Sequence, residues 1–296
     1  MTVTRPPVIL NFDDSSAQPN NTWQRIALQS WQEKIRFGCK WHDFKQLEAH
    51  LATQLPAPAQ QGCALLGSGD YHHLSYLLLS RLKQDEPIHL VVCDNHPDNM
   101  RYPFGIHCGS WVYWASQLPH VARIDVLGIS SNDIGLSHAW ENHWSPLKKG
   151  KLHYWSVQQD ASWLKHIGAK HAARNFAFPD VLMAEFLDTL QTVNLPVYLS
   201  IDKDILSKDV VKTNWDQGQF LEQHLHTLID ACAGRLMGAD ITGDISLYQY
   251  KQWFKAFLSK LDAQEYMPEA QLDLWQNQQQ SLNDRLIERM NTAWRE

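Results

Sequence analysis

The stretch Leu90–Asp98, LVVCDNHPD, constrains the chain more than any other. Leu90–Cys93 is apolar throughout and runs straight into Asp94, His96 and Asp98. An unbroken apolar run bounded by polar residues predicts a strand buried on both faces of a sheet, the habit of parallel α/β proteins. The D-x-H-x-D then sits where the strand ends, at the edge where open α/β sheets bind ligands. Alternate residues of an extended segment project to one side, so two carboxylates and an imidazole converge. That donor set suits a divalent cation taking both oxygen and nitrogen ligands, such as Mn2+, Fe2+ or Zn2+. The plainer alternative is a polar turn with an Asp cap and a solvated His.

A second acidic pair narrows the choice. Pro196–Asp204 reads PVYLSIDKD, again an apolar run that delivers two carboxylates, Asp202 and Asp204, at alternate positions. In a parallel sheet both strand ends lie on one edge, so four carboxylates meet there. They repel one another unless something cationic holds them. Two metal ions about 3.5–4 Å apart, bridged by carboxylates, are a well-attested solution. A third element, Gly67–Leu79 (GSGDYHHLSYLLL), places His72 and His73 where a helix starts after a glycine turn. One of the two imidazoles is expected to reach a metal at the same edge, and the other to cap or hydrogen-bond locally. The turn has neither a Walker lysine nor G-x-G-x-x-G, which argues against a phosphate cradle.

Strand and helix patterns alternate along the rest of the chain. Val8–Phe12, Cys63–Leu66, Ile88–Cys93, Arg123–Ile129, Leu152–Val157, Pro196–Ile201 and Arg235–Ile241 read as strands. Trp23–His50 (interrupted near its middle by FGCKWHDF), Leu74–Leu82, Trp111–Leu118, Asp180–Val193 and Phe220–Ala233 read as helices, with helical pattern from Gln249 onward, broken near Pro268. This predicts a three-layer α/β/α fold with a mainly parallel sheet. It is read as one domain over residues 1–296, with 249–296 a helical extension packed on it. The net charge of −6 and the absence of a Lys/Arg stripe argue against nucleic-acid binding by general electrostatics. Five scattered cysteines without a C-x-x-C fit reduced thiols in a cytoplasm. No stretch has the length to span a membrane, so none is expected as a partner.

At this point the chain resembles a family. A glycine turn with His, then D-x-H-x-D, then S-x-D-x-D at strand ends, in that order, is the pattern of the arginase/agmatinase ureohydrolases, whose wider superfamily includes histone-deacetylase-like amidohydrolases. The resemblance runs from about Gly67 to Asp244. It implies an α/β/α domain holding two Mn2+ ions (Fe2+, Co2+ or Zn2+ as alternatives), with a bridging water or hydroxide that attacks a guanidinium carbon. Gly69-Asp70-Tyr71-His72 is similar to the GGDH segment, and Asp94, His96 and Asp98 to DAHxD, with Asn95 in place of Ala. Asp202 and Asp204 match the second pair. The resemblance thus implies His72, Asp94, His96, Asp98, Asp202 and Asp204 as metal ligands. Phe104–Gly109, FGIHCG, is similar to the family's GN-x-HG loop, which gives His107 a catalytic role as proton shuttle or substrate-orienting group, alongside Asp98. Family members are often oligomers, so a homo-oligomer is expected.

Three departures bear on the substrate. No x-x-D-P follows Asp204, and the loop that grips a free amino acid is replaced by NMRYPFGIHCG. In GADITGDIS, Gly243 stands where the family has a guanidinium-binding Glu. Asp244 is then the candidate for pairing a substrate cation, and Arg101 for holding a carboxylate. The expected function is a binuclear hydrolase of a C–N bond, releasing urea from arginine, agmatine or a peptidyl-arginine. The alternatives are a zinc-dependent deacetylase-like amidohydrolase and a non-catalytic protein that keeps the scaffold.

Overall fold

A computed structural model describes residues 5–17, 22–82, 86–251, 255–256 and 269–295. The strands are β1 (Val8–Asn11), β2 (Gln24–Ala27), β3 (Gly38–Cys39), β4 (Ala64–Gly67), β5 (Ile88–Cys93), β6 (Ile106–His107), β7 (Val121–Ile129), β8 (Leu152–Val157), β9 (Ala173–Phe176), β10 (Val197–Asp202) and β11 (Leu236–Thr242). Nine of them form one sheet in the order β2-β1-β4-β11-β10-β5-β7-β8-β9. Every pairing in it is parallel. β3 and β6 pair separately and antiparallel.

Parallel strands need crossovers, and here helices supply them on both faces. Phe44, Leu47 and Leu51 of helix Trp41–Ala52, Leu74–Leu79, and Trp111 pack in the core on one side. Leu182 and Phe186 of helix Pro179–Val193, Leu225 and Leu228 of helix Glu222–Ala231, and Leu282 and Leu286 of helix Leu272–Met290 pack in the core on the other. β4, β5 and β10 are buried along their whole length, as apolar runs of this kind demand. The three-layer fold follows.

One reading is corrected, and one strand was not foreseen. Gln24–Ala27 is an edge strand rather than the start of a helix, because all four residues pair with β1. β9, a short edge strand with only Phe176 buried, carries no sequence pattern that marks it. Of the expected C-terminal helices, Leu272–Met290 is described, whereas the break near Pro268 lies outside the described residues.

β4 and β5 are successive in this parallel core yet lie apart in the sheet, with β11 and β10 between them. The reversal falls between the neighbours β10 and β5, because the chain leaves β5 towards β7 and leaves β10 towards β11 in the opposite direction, and such a switch opens a crevice at the carboxyl ends of the strands. The acidic motifs end there.

Candidate metal centre

β5 delivers Asp94 directly after Cys93, and β10 ends on Asp202, one strand away. β4 leads into a tight 3-10 turn, Gly69–Tyr71, whose backbone places His72 beside them. His72 Nδ1 lies 3.1 Å from Asp94 Oδ2, 3.0 Å from Asp98 Oδ2 and 3.5 Å from Asp202 Oδ2. His96 Nδ1 lies 2.9 Å from Asp204 Oδ2 and 3.5 Å from Asp94 Oδ1. Two donor sets result, His72/Asp94/Asp202 and Asp94/His96/Asp204, each with ligand atoms within 4.8 Å of one another. They share Asp94.

The local chain is shaped to this end. Asp98 adopts a left-handed backbone (φ 46°), a conformation Asp tolerates better than most residues. Its Oδ2 accepts from Trp111 Nε1 at 2.7 Å, which fixes the carboxylate. Behind His72, Nε2 meets Ser200 Oγ at 3.0 Å, and Ser200 donates to Asp240 Oδ1 at 2.7 Å. His96 Nε2 in turn meets Asp216 Oδ1 at 2.8 Å, so protein groups engage the outer nitrogens of both imidazoles and orient the inner ones.

So many buried carboxylates strain each other. Burial and the charge of Asp94 push Asp98 up to about 7, and the same two causes push Asp204 up to about 7. Burial and the charge of Asp204 push Asp202 well above the usual range. Although burial opposes it, hydrogen bonds from His72 and His96 hold Asp94 below its ordinary value. Asp94 Oδ2 is buried and shares its neighbouring donor, His72 Nδ1 at 3.1 Å, with Asp98 and Asp202. Mixed carboxylate and imidazole donors, crowded and under-compensated, fit divalent cations.

The remaining candidates separate. His107 lines the same cavity, about 420 Å³ in volume, with its Nδ1 accepting from Gly109 N at 2.9 Å. Burial pushes its imidazole down to about 4, so it is neutral near pH 7. His73 is buried away from the carboxylates, near the ring of Phe44. Asp244 is not in the cavity wall. It is buried against Lys203 Nζ and Ser16 Oγ and accepts from Asn283 Nδ2 at 3.2 Å. Its charge is thus already paired by an ammonium. Arg101 also lies outside the wall, with Nε on the Asn142 carbonyl at 3.2 Å and its guanidinium over Trp144. Neither side chain lines the cavity, and each is engaged by protein groups outside it.

Gly243 explains the missing Glu. Its φ is +87°, and a Cβ there would stand 2.5 Å from Asp202 Oδ1. Only glycine fits against the Asp202 carboxylate. Other acidic groups stand in the wall instead: Asp133, Glu141 and Asp216, with Trp215 and Met100 as apolar neighbours. Sequence reasoning missed all of them. They lie on the loops and short turns after β5, β7 and β10, where no periodicity marks which side chains face inward.

No protein-family profile matches the chain. An uncharacterized protein of Thermotoga maritima is 29% identical over 212 residues, covering 70% of this chain and 69% of that one. Among solved structures, proclavaminate amidino hydrolase from Streptomyces clavuligerus superposes with a TM-score of 0.55 at 14% identity, covering 99% of this chain and 94% of that one. Arginase from Bacillus caldovelox gives 0.52 at 12% identity, with 99% of each chain covered. A formiminoglutamase from Trypanosoma cruzi, in a structure with Mn2+, gives 0.51 at 12% identity over 86% of this chain and 72% of that one. No described helix is long and apolar enough to cross a membrane.

Proposed function

We propose that this chain, whose fold is that of the arginase-like ureohydrolases, is a binuclear metal-dependent hydrolase of a C–N bond in a cationic, guanidino-type substrate. One observation carries the reading: two overlapping donor sets joined through Asp94. His72, Asp94, Asp98 and Asp202 would hold one ion, and Asp94, His96 and Asp204 the other. The donor chemistry suits Mn2+ first, with Fe2+, Co2+ and Zn2+ as alternatives. Bound there, such ions supply a water of lowered pKa and an electrophilic clamp on the reacting atoms.

The chain's own groups do the rest. Carboxylates of Asp133, Glu141 and Asp216 make the cavity favourable for a cation, and Trp215 and Met100 give it apolar surface for an alkyl chain or amidine face. His107, with Nδ1 engaged by Gly109 N, carries its proton on Nε2 and is placed to donate a hydrogen bond to substrate. Since it is neutral near pH 7, orientation suits it better than acting as an imidazolium acid. Arginine, agmatine and peptidyl-arginine are the substrates to try first. The glycine at 243 favours one further class, amidines or amides in which no carboxylate at that position is needed.

The test is a screen of guanidino, amidino and acyl-amide compounds with Mn2+-loaded protein, following urea or amine release. Asp94→Asn and Asp202→Asn are expected to lower turnover by about 10³-fold, the rate equivalent of the several kcal/mol a Lewis-acid metal contributes. Unchanged turnover in either variant, or none with any compound by metal-replete protein, would overturn the reading.

A further inference from the structure

Asn95 stands between two candidate ligands, is fully buried, and has every hydrogen-bonding position of its amide in use. Its Nδ2 donates to Asp216 Oδ2 at 2.9 Å and to the Asp216 carbonyl at 3.1 Å. Its Oδ1 accepts from Ser130 N at 3.2 Å and Ser130 Oγ at 2.6 Å. One side chain thus ties the end of β5 to the turn after β7 and to the loop that follows Asp204. An Ala could make none of these bonds.

Asp216 is the group so held. Asn95 fixes one of its oxygens, and the other, Oδ1, lies 2.8 Å from His96 Nε2. The opposite ring nitrogen, Nδ1, faces Asp204 and Asp94. A carboxylate on Nε2 keeps the proton there and leaves the Nδ1 lone pair directed into the donor set. Trp215 seats the same loop: it lies edge-on to His96, stacks on Phe37, and packs so closely on Gly69 that a Cβ there would meet it at 3.0 Å.

We infer that Asn95 and Asp216 are positioning residues that set the tautomer and orientation of His96, so that occupancy of the Asp94/His96/Asp204 metal position depends on the loop carrying Asp216. This rests on the two-metal reading proposed above. It gives a physical role to one departure from the ureohydrolase pattern, the Asn within D-x-H-x-D, and draws the carboxylate from an Asp twelve residues beyond Asp204.

The experiment is a Mn2+ titration of chelator-treated, full-length protein, read by the electron-paramagnetic signal of free and bound ion. Wild-type protein is expected to take up two ions per chain. Asp216→Ala is expected to keep one at unchanged affinity and weaken the second 10–100-fold, the usual effect of removing such an outer partner. Asn95→Ala should weaken the same ion by a smaller factor. Asp209→Asn, exposed on the same loop, should leave both unchanged. If Asp216→Ala does not fold, Asp216→Asn carries the test, since it keeps the shape and loses the charge. Two ions bound at wild-type affinity by the Asp216 variant would overturn this inference and leave the two-metal reading intact. Fewer than two bound by wild-type protein would overturn both.

Discussion

Position 243 shows how one residue redirects a site. Its left-handed backbone and the 2.5 Å approach of Asp202 Oδ1 exclude a side chain. Glu in that place would both strain the backbone, at about 1–3 kcal/mol, and displace a candidate ligand. Gly243→Glu is therefore expected to lower the melting temperature and weaken Mn2+ binding. Thermal melts with and without Mn2+ check this, and a stable variant of unchanged metal affinity would contradict it. The neighbouring Asp244 teaches the converse lesson. It was legible as an acid at a strand end. Its buried partner Lys203 was not, because that lysine lies between two candidate ligands and its ammonium reaches the opposite side of the strand. The strand ends at Asp202, and the 3-10 turn Lys203–Ile205 that follows sets Asp204 beside His96 and Lys203 against Asp244. What the sequence could not convey was which residue of a distant helix, Asn283, waits there.

At the scale of elements, the strands that carry the candidate ligands were legible because burial on both faces leaves an unbroken apolar signature. Edge strands β2 and β9 were not, since pairing with a single neighbour asks little of their side chains. Helix Leu272–Met290 reads as polar and Gln-rich for a reason visible only in the fold. Gln279 accepts from Ile245 N and donates to the Gly243 carbonyl at 3.0 Å, so it secures the turn after β11.

β5, β7 and β8 share a polar cluster of their own. Asp125 accepts from His89 at 2.5 Å, from Arg123 at 2.6 and 2.9 Å, and from Trp155 at 2.7 Å. Burial raises this carboxyl's pKa, but the bonds and charges of His89 and Arg123 outweigh it and hold the group below its ordinary value. A depressed pKa means the unfolded chain binds the extra proton. The stabilisation is then complete above about pH 4 and is lost as the pH falls through the folded value below that. Asp125→Asn is expected to lose about 3–5 kcal/mol at pH 6, as when one member of a buried pair is removed, and to flatten the fall in stability below pH 4. Urea melts across pH 2.5–6 measure both; an unchanged acid slope would contradict the assignment.

For the whole molecule, the sheet order is what makes a site out of scattered motifs. β11 and β10 lie between β4 and β5, so segments more than a hundred residues apart in sequence bring His72, Asp94 and Asp202 within reach of one another. The motifs were legible at the ends of their strands. The cavity wall was not, because Asp133, Glu141 and Asp216 sit on loops whose course is set by packing against those strands. The central claim is that this convergence holds two metal ions. Anomalous diffraction at the manganese edge from Mn2+-soaked crystals tests it most directly. Two peaks about 3.5–4 Å apart are predicted, one against His72, Asp94 and Asp98, the other against His96 and Asp204, with Asp94 between them. A single peak, or none at these residues, would contradict it.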